Sequence, residues 1–265
     1  MQATRRKPLE PPAWLDLETS TRTRLCTWGE QLADLRARVV APVPDTEGAF
    51  ESLRHPLSDH FLALNPRSGA ADRSVAEAAA AADVDRREFE SSLGDAVRFE
   101  ALLQKLNARV VDGHRGFRLN EAGLRPDRRG TAVLFPAPEQ VPIQLDRLRH
   151  ALSLTLPANA PWAAILALAM LTNAHPFADG NGRVSRMIFN LCLRAGAARE
   201  LPYIPLYELF YRSRGGYEIR LRDAELNSNW DGFCNFMSDV ISVVSGSSDR
   251  ARPRRPGSDA CKQAW

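Results

Sequence analysis

No apolar run in this 265-residue chain exceeds ten residues. The longest, Trp162–Leu171, is half of the roughly 20 residues a bilayer-crossing helix needs, so no membrane span is expected. Cysteine is scarce. Cys26, Cys192, Cys234 and Cys261 stand apart with no paired spacing, which argues against a zinc site or a disulfide framework and for a reducing cytoplasm. The basic start, MQATRRKPLEPP, has no apolar stretch behind it, so residues 1–13 read as a flexible arm rather than a secretory signal. An excess of one charge is missing as well. The net charge is +3, and residues 246–265 hold five basic and two acidic residues, which leaves thirty of each sign elsewhere. A neutral body has little with which to attract a polyanion, and a nucleic-acid partner is not expected. The tail itself, rich in Pro, Gly, Ser and Arg, reads as solvated and disordered. His55, His60, His114 and His150 show no metal-ligand spacing.

What is present is ordinary globular material, 44% hydrophobic and 25% charged, with helical periodicity along most of its length. Leu17, Leu25, Trp28, Leu32, Leu35 and Val39 recur at helical spacing, and APVPDTEG (41–48) breaks the pattern. Strong helix formers fill 74–111, with Gly94 as a boundary. Over 112–142 the periodicity disappears among Gly and Pro, and only TAVLF (131–135) reads as a strand. Two helices follow (IQLDRLRHALSL and PWAAILALAMLTNA), then one from about Gly182 to Ala195 stopped by Gly196, then two further helical segments. The expected class is mainly α with a short β flap. The expected organisation is the arm, a helical region over 14–94, a catalytic domain over 95–245 and the tail.

The densest cluster of polar and flexible residues is HPFADGNGRVSR (175–186). His175 precedes a proline and is biased out of the helical region, so Asn173–Gly180 is expected to be a loop. Gly180 and Gly182 permit a tight turn and close approach of a ligand. In the helix beyond, Val184, Ile188, Leu191 and Ala195 form the buried face, while Arg183 and Arg186 share the other side. Free N–H groups at a helix start beside two guanidinium groups make an anion site, better suited to a polyphosphate than to one carboxylate. Asp179 would be repelled by such an anion unless a cation intervenes, which points to Mg²⁺ bridging the phosphates. His175 is the one group there suited to accept a proton near neutral pH. Together these imply nucleotide-dependent transfer to a hydroxyl.

The string resembles the signature of the Fic family, His-Pro-Phe-x-Asp/Glu-Gly-Asn-Gly-Arg-x-x-Arg, at every fixed position. GHRGFRLNEAGLRPDRRGTAVLFPAPEQVP resembles the upstream flap of that family, and PLYELFYRSRGGYEIRL the helix that follows, so the likeness spans about residues 95–240. The resemblance implies a Fic-type helical bundle that transfers AMP from ATP to a Ser, Thr or Tyr hydroxyl of a target protein. It implies His175 as the base, Asp179 as the Mg²⁺ ligand, and Gly180, Asn181 and Gly182 around the α-phosphate. Arg183 and Arg186 would hold the β- and γ-phosphates, and Phe177 would anchor the loop from inside the core. The strand Thr131, Ala132, Val133, Leu134, Phe135 would pair edge to edge with the target, and Tyr217 would touch adenine.

Two departures stand out. Many relatives carry an inhibitory pattern, Ser/Thr-x-x-x-Glu-Gly/Asn, whose glutamate pairs with the second motif arginine. Here VPDTEG (43–48) comes nearest but has Val43 in the hydroxyl position, so Glu47 reads as part of a surface turn and self-inhibition is not expected. A separate antitoxin-like inhibitor protein stays open. In the flap entry, Arg115 stands where many relatives have proline. Two rival readings remain: the same scaffold moving another nucleotide or a phosphoryl group, and a nucleotide-binding toxin–antitoxin partner without turnover.

Overall fold

A computed structural model describes residues 2–33, 35, 39–64, 73–113, 116–124, 131–197 and 200–246. His114, Arg115 and all of the tail beyond Gly246 lie outside these residues. In chain order the helices are α1 (Thr19–Cys26), α2 (Trp28–Ala33), α3 (Ser58–Leu64), α4 (Ser74–Ala82), α5 (Arg86–Ser92) and α6 (Ala96–Val110). They continue with α7 (Val141–Thr155), α8 (Ala160–Ala174), α9 (Asn181–Gly196), α10 (Leu206–Arg212), α11 (Gly216–Asn227) and α12 (Trp230–Ser245). Three short strands, β1 (Gln2–Arg5), β2 (Gly123–Leu124) and β3 (Thr131–Leu134), form one sheet. The class is mainly α with a small sheet, as the sequence implies. No described helix is long and apolar enough to cross a membrane.

The chain divides into two compact units. The first comprises residues 1–11, 63–66 and 75–196. Its centre is α8, buried on nearly every side between α7 and α9, which is the fate of a helix apolar all round. The uniform helical stretch over 74–111 is cut twice. Asp85 and Asp95 each accept a hydrogen bond from the backbone N–H three residues on, which starts α5 and α6 separately. Because α5 packs on both α6 and α9, the boundary expected at 94/95 falls inside this unit.

The sheet corrects two expectations. Residues 2–5 are a strand, where a flexible arm is expected. TAVLF is also not an edge: β3 lies in the middle, parallel to β1 on one side and antiparallel to β2 on the other. The register aligns Gln2 with Thr131, Ala3 with Ala132, Thr4 with Val133 and Arg5 with Leu134. Propensity could not forecast β1, since QATR has no apolar alternation; the neighbouring ladder supplies its structure.

The second unit comprises residues 12–62, 67–74 and 197 onward. Here α12 packs against α1, α2 and α11, with Trp28 fully buried and its indole N–H donating to Ser238 at 3.1 Å. Arg24 reaches Asn235 and Asp239 on the same helix.

Candidate active site

The loop between α8 and α9 is set by backbone geometry. The helix α8 runs to Ala174, where the stretch PWAAILALAMLTNA ends, and His175 closes it in the left-handed region (φ 49°, ψ 56°). A residue before proline cannot continue a helix comfortably, and here it leaves by the left-handed route. The Asn181 side chain then ties the loop shut. Its Oδ1 accepts from the Phe177 N–H at 2.8 Å and its Nδ2 donates to the Phe177 carbonyl at 2.7 Å. The Phe177 ring is buried beside Phe117, so the loop is anchored from inside as expected. Gly180 sits at φ 87°, and a Cβ there would collide with Asn107 and Val111, so glycine is required twice over. Asn107 also donates to the Asp179 carbonyl at 2.9 Å.

This geometry presents the start of α9. The Asn181, Gly182 and Arg183 N–H groups have no acceptor within the helix, as at any helix start. The Asn181 side chain is spent on the loop, so at this helix start only its backbone N–H is left to face outward. Arg183 reaches back to Asp179 at 2.8 Å and also donates to the Val110 carbonyl. Asp179 is 72% exposed, and its other oxygen accepts from the Gly180 N–H at 2.6 Å. Among the described residues no cluster of three or more His, Cys, Asp or Glu could cage a metal. A single exposed carboxylate, here bonded to Arg183, fits Mg²⁺, which takes one or two protein carboxylates and completes its shell with phosphates and water.

Arg186 differs from its neighbour. Its Nε donates to Glu77 Oε2 at 3.0 Å, and its Nη2 donates to Glu77 Oε1. Glu77 lies on α4, 1% exposed. A second tie runs from Arg194 to the Ala81 carbonyl at 3.2 Å, so α4 is fixed to α9 at two points. The glutamate that pairs with the second motif arginine is thus not the one the sequence brings nearest to the pattern. Glu47 is in the second unit, mostly exposed and bridged to Arg54, while the partner of Arg186 is Glu77. Sequence reading misses it because Arg73 stands four positions before Glu77 and Ala78 follows it; the hydroxyl, Ser74, is one place late.

The His175 imidazole stacks on Phe135, centroids 3.6 Å apart and planes within 9°. Burial pushes its pKa down to about 4. The charges of Arg118 and Arg6 add to the shift, and the Thr172 backbone and Asp179 oppose it. The buried Nδ1 has no well-directed hydrogen bond among the described residues. His175 is therefore neutral at physiological pH, the state a proton acceptor needs.

Arg118, which the sequence reading passes over, holds this region together. Only 4% exposed, it donates from Nε to the His175 carbonyl at 2.7 Å and from Nη1 to Asn120 at 3.1 Å. Its Nη2 donates to the carbonyls of Pro136 and Ala174, and its backbone N–H to that of Pro176 at 2.8 Å. One planar fork thus binds the candidate catalytic loop to the exit of β3. Phe135, expected as the last flap-strand residue, lies one past the end of β3; its N–H still donates to the Ala122 carbonyl at 2.8 Å while its ring covers His175. Tyr217 belongs to the core of the second unit, where its ring, 8% exposed, stacks on Phe210 at 3.9 Å.

Residues 98–193 match the Fic/DOC family. No curated protein matches this chain. Among solved structures, a Fic family protein from Desulfovibrio desulfuricans G20 is 18% identical, with a TM-score of 0.51 over 89% of this chain and 74% of that one. A Fic domain containing signaling protein from Bacteroides thetaiotaomicron is 16% identical, with a TM-score of 0.46 over 84% of this chain and 97% of that one. Fic-1 of C. elegans (residues 134–508) is 20% identical, with a TM-score of 0.49 over 86% of this chain and 70% of that one. The segment that supplies His175, the glycine-walled turn and both arginines lies inside the residues that match the Fic/DOC family.

Proposed function

We propose that this protein transfers AMP from ATP to a hydroxyl side chain of a target protein. The observation that carries this reading is the juxtaposition within one short loop of a neutral, buried imidazole and an anion-ready helix start. His175 ends α8, and Gly180 begins the turn into α9. In this reading His175 removes the proton from the target hydroxyl as its oxygen attacks the α-phosphorus. The bond between the α- and β-phosphates breaks, and pyrophosphate leaves. The backbone N–H groups from Asn181 to Arg183 face the phosphate whose charge shifts during attack. Arg183 holds the polyphosphate beside them, and Arg186 takes the γ-phosphate once released from Glu77. Mg²⁺ held by Asp179 would neutralise phosphate charge and favour departure of pyrophosphate.

The Glu77–Arg186 pair supports a resting state in which the γ-phosphate position is closed. It favours restraint built into the chain over dependence on a separate inhibitor. The defining experiment supplies α-³²P-ATP and Mg²⁺ with a host lysate. Label should appear on protein and vanish in His175→Ala. Label from γ-³²P-ATP in its place would make the enzyme a kinase, and nucleotide binding with no transfer would make it a binding module.

A further inference from the structure

The flap edge is already filled by the chain itself. The strand β1 pairs along β3 from Gln2 to Arg5, and the Arg6 N–H extends the ladder to the Leu134 carbonyl at 2.8 Å. Three contacts then fix side chains and direction. Arg5 grips Glu121 with two bonds, 2.7 and 2.8 Å, and also reaches the Phe135 carbonyl at 3.2 Å. The Arg6 guanidinium lies over the Phe135 ring, 4.9 Å from its centroid, and that same ring stacks on His175. Leu9 is buried, and its N–H donates to Asn173 Oδ1 at 3.0 Å, at the end of the helix that His175 closes. The segment therefore runs along the strand and past the candidate catalytic loop as an extended substrate would. Over the ring that stacks on His175 it places Arg6, which has no hydroxyl to attack phosphorus.

We propose that residues 2–9 are a built-in, unreactive stand-in for the target segment. The flap would accept extended segments running parallel to β3, with a basic side chain placed to reach Glu121. The inference rests on the reading of β3 as the target-docking strand and adds to it both an occupant and a substrate class. Strand addition draws affinity from main-chain bonds and selectivity from side-chain contacts such as the one at Glu121. The arm and an incoming target would then compete for one row of backbone groups.

A fluorescent peptide copying residues 2–10, QATRRKPLE, tests this without ATP, so its outcome is separable from whether AMP transfer occurs. Its binding is followed by anisotropy against the full chain and against R5E/R6P, which repels Glu121 and removes the Arg6 N–H. The peptide should bind the variant at least tenfold more tightly than the unaltered protein. Adding Glu121→Arg to the variant should abolish the gain. Equal binding to both proteins, or no binding to a variant whose circular dichroism is unchanged, overturns the proposal. Hydrogen exchange on the unaltered chain gives a check free of mutation. The Arg6 and Leu9 amides should be protected by at least tenfold, and free exchange there overturns the proposal as well.

Discussion

Glu77 and Arg186 form a two-pronged ion pair in which the carboxylate is 1% exposed and the arginine side chain 11%. One guanidinium cannot serve this carboxylate and a γ-phosphate with the same donors. Replacing Glu77 with Ala should therefore raise affinity for ATP. A hydrogen bond to a charged group contributes about 1.5–3 kcal/mol, so the expected gain is roughly 10- to 100-fold by calorimetry. The same change takes its buried carboxylate partner from a nearly buried arginine, at a cost of up to about 3–5 kcal/mol when no nucleotide is bound. The variant should melt earlier than the parent alone and recover with ATP. Unchanged ATP affinity would show that the pair is purely structural.

Arg186→Ala, made in the Glu77→Ala background so that the pair itself drops out, should weaken ATP far more than ADP. The loss should be about tenfold or more for ATP and within about twofold for ADP, since ADP lacks the phosphate this side chain is assigned. Equal losses would move Arg186 to another part of the nucleotide.

These two residues mark where the sequence was legible and where it was not. Arg186 is readable because its motif compresses base, turn and anion site into twelve consecutive positions, each with a local physical reason. Glu77 is not readable, because its partner is 109 residues away and its own surroundings, SVAEAAAAA, look like any alanine-rich helix. The same holds for β1: its strand state is conferred by β3, and nothing in QATRR alternates. Arg118 is a similar case, a single basic residue in a loop whose acceptors are carbonyls of Ala174, His175 and Pro136, distant in sequence. A motif compressed into consecutive positions is legible in sequence; a contact across the fold is not.

The depressed pKa of His175 sets a pH signature. The folded state holds the ring neutral down to about pH 4, whereas the unfolded chain takes a proton near 6.5. Protonation therefore favours unfolding, and His175 costs stability progressively as pH falls from 6.5 towards 4. The full cost below that window is about 3 kcal/mol. His175→Asn should lose that portion of the acid destabilisation, measured as the difference in urea midpoints between pH 7 and pH 4.5. In the same range kcat/KM should hold from pH 8 down past 6, because the free enzyme's base is still unprotonated there. An inflection near 6.5 would mean that the imidazole is far more hydrated than its stacking on Phe135 implies.

Arg118 separates positioning from nucleotide binding. Lysine at this position keeps the charge but loses the planar fork, so at least two of the carbonyls at Ala174, His175, Asn120 and Pro136 lose their donor. Each buried acceptor left alone costs about 1–3 kcal/mol, so Arg118→Lys should lower the melting temperature by roughly 5–10 °C. The start of α9 is held by Asn181, Asn107 and Gly180, none of which touches Arg118 among the described bonds. KM for ATP should accordingly stay within about twofold while kcat falls by tenfold or more, as His175 loses the bond to its carbonyl. A matched rise in KM would place Arg118 in the nucleotide cup; an unchanged kcat would mean that proline and the left-handed cap orient the histidine without help.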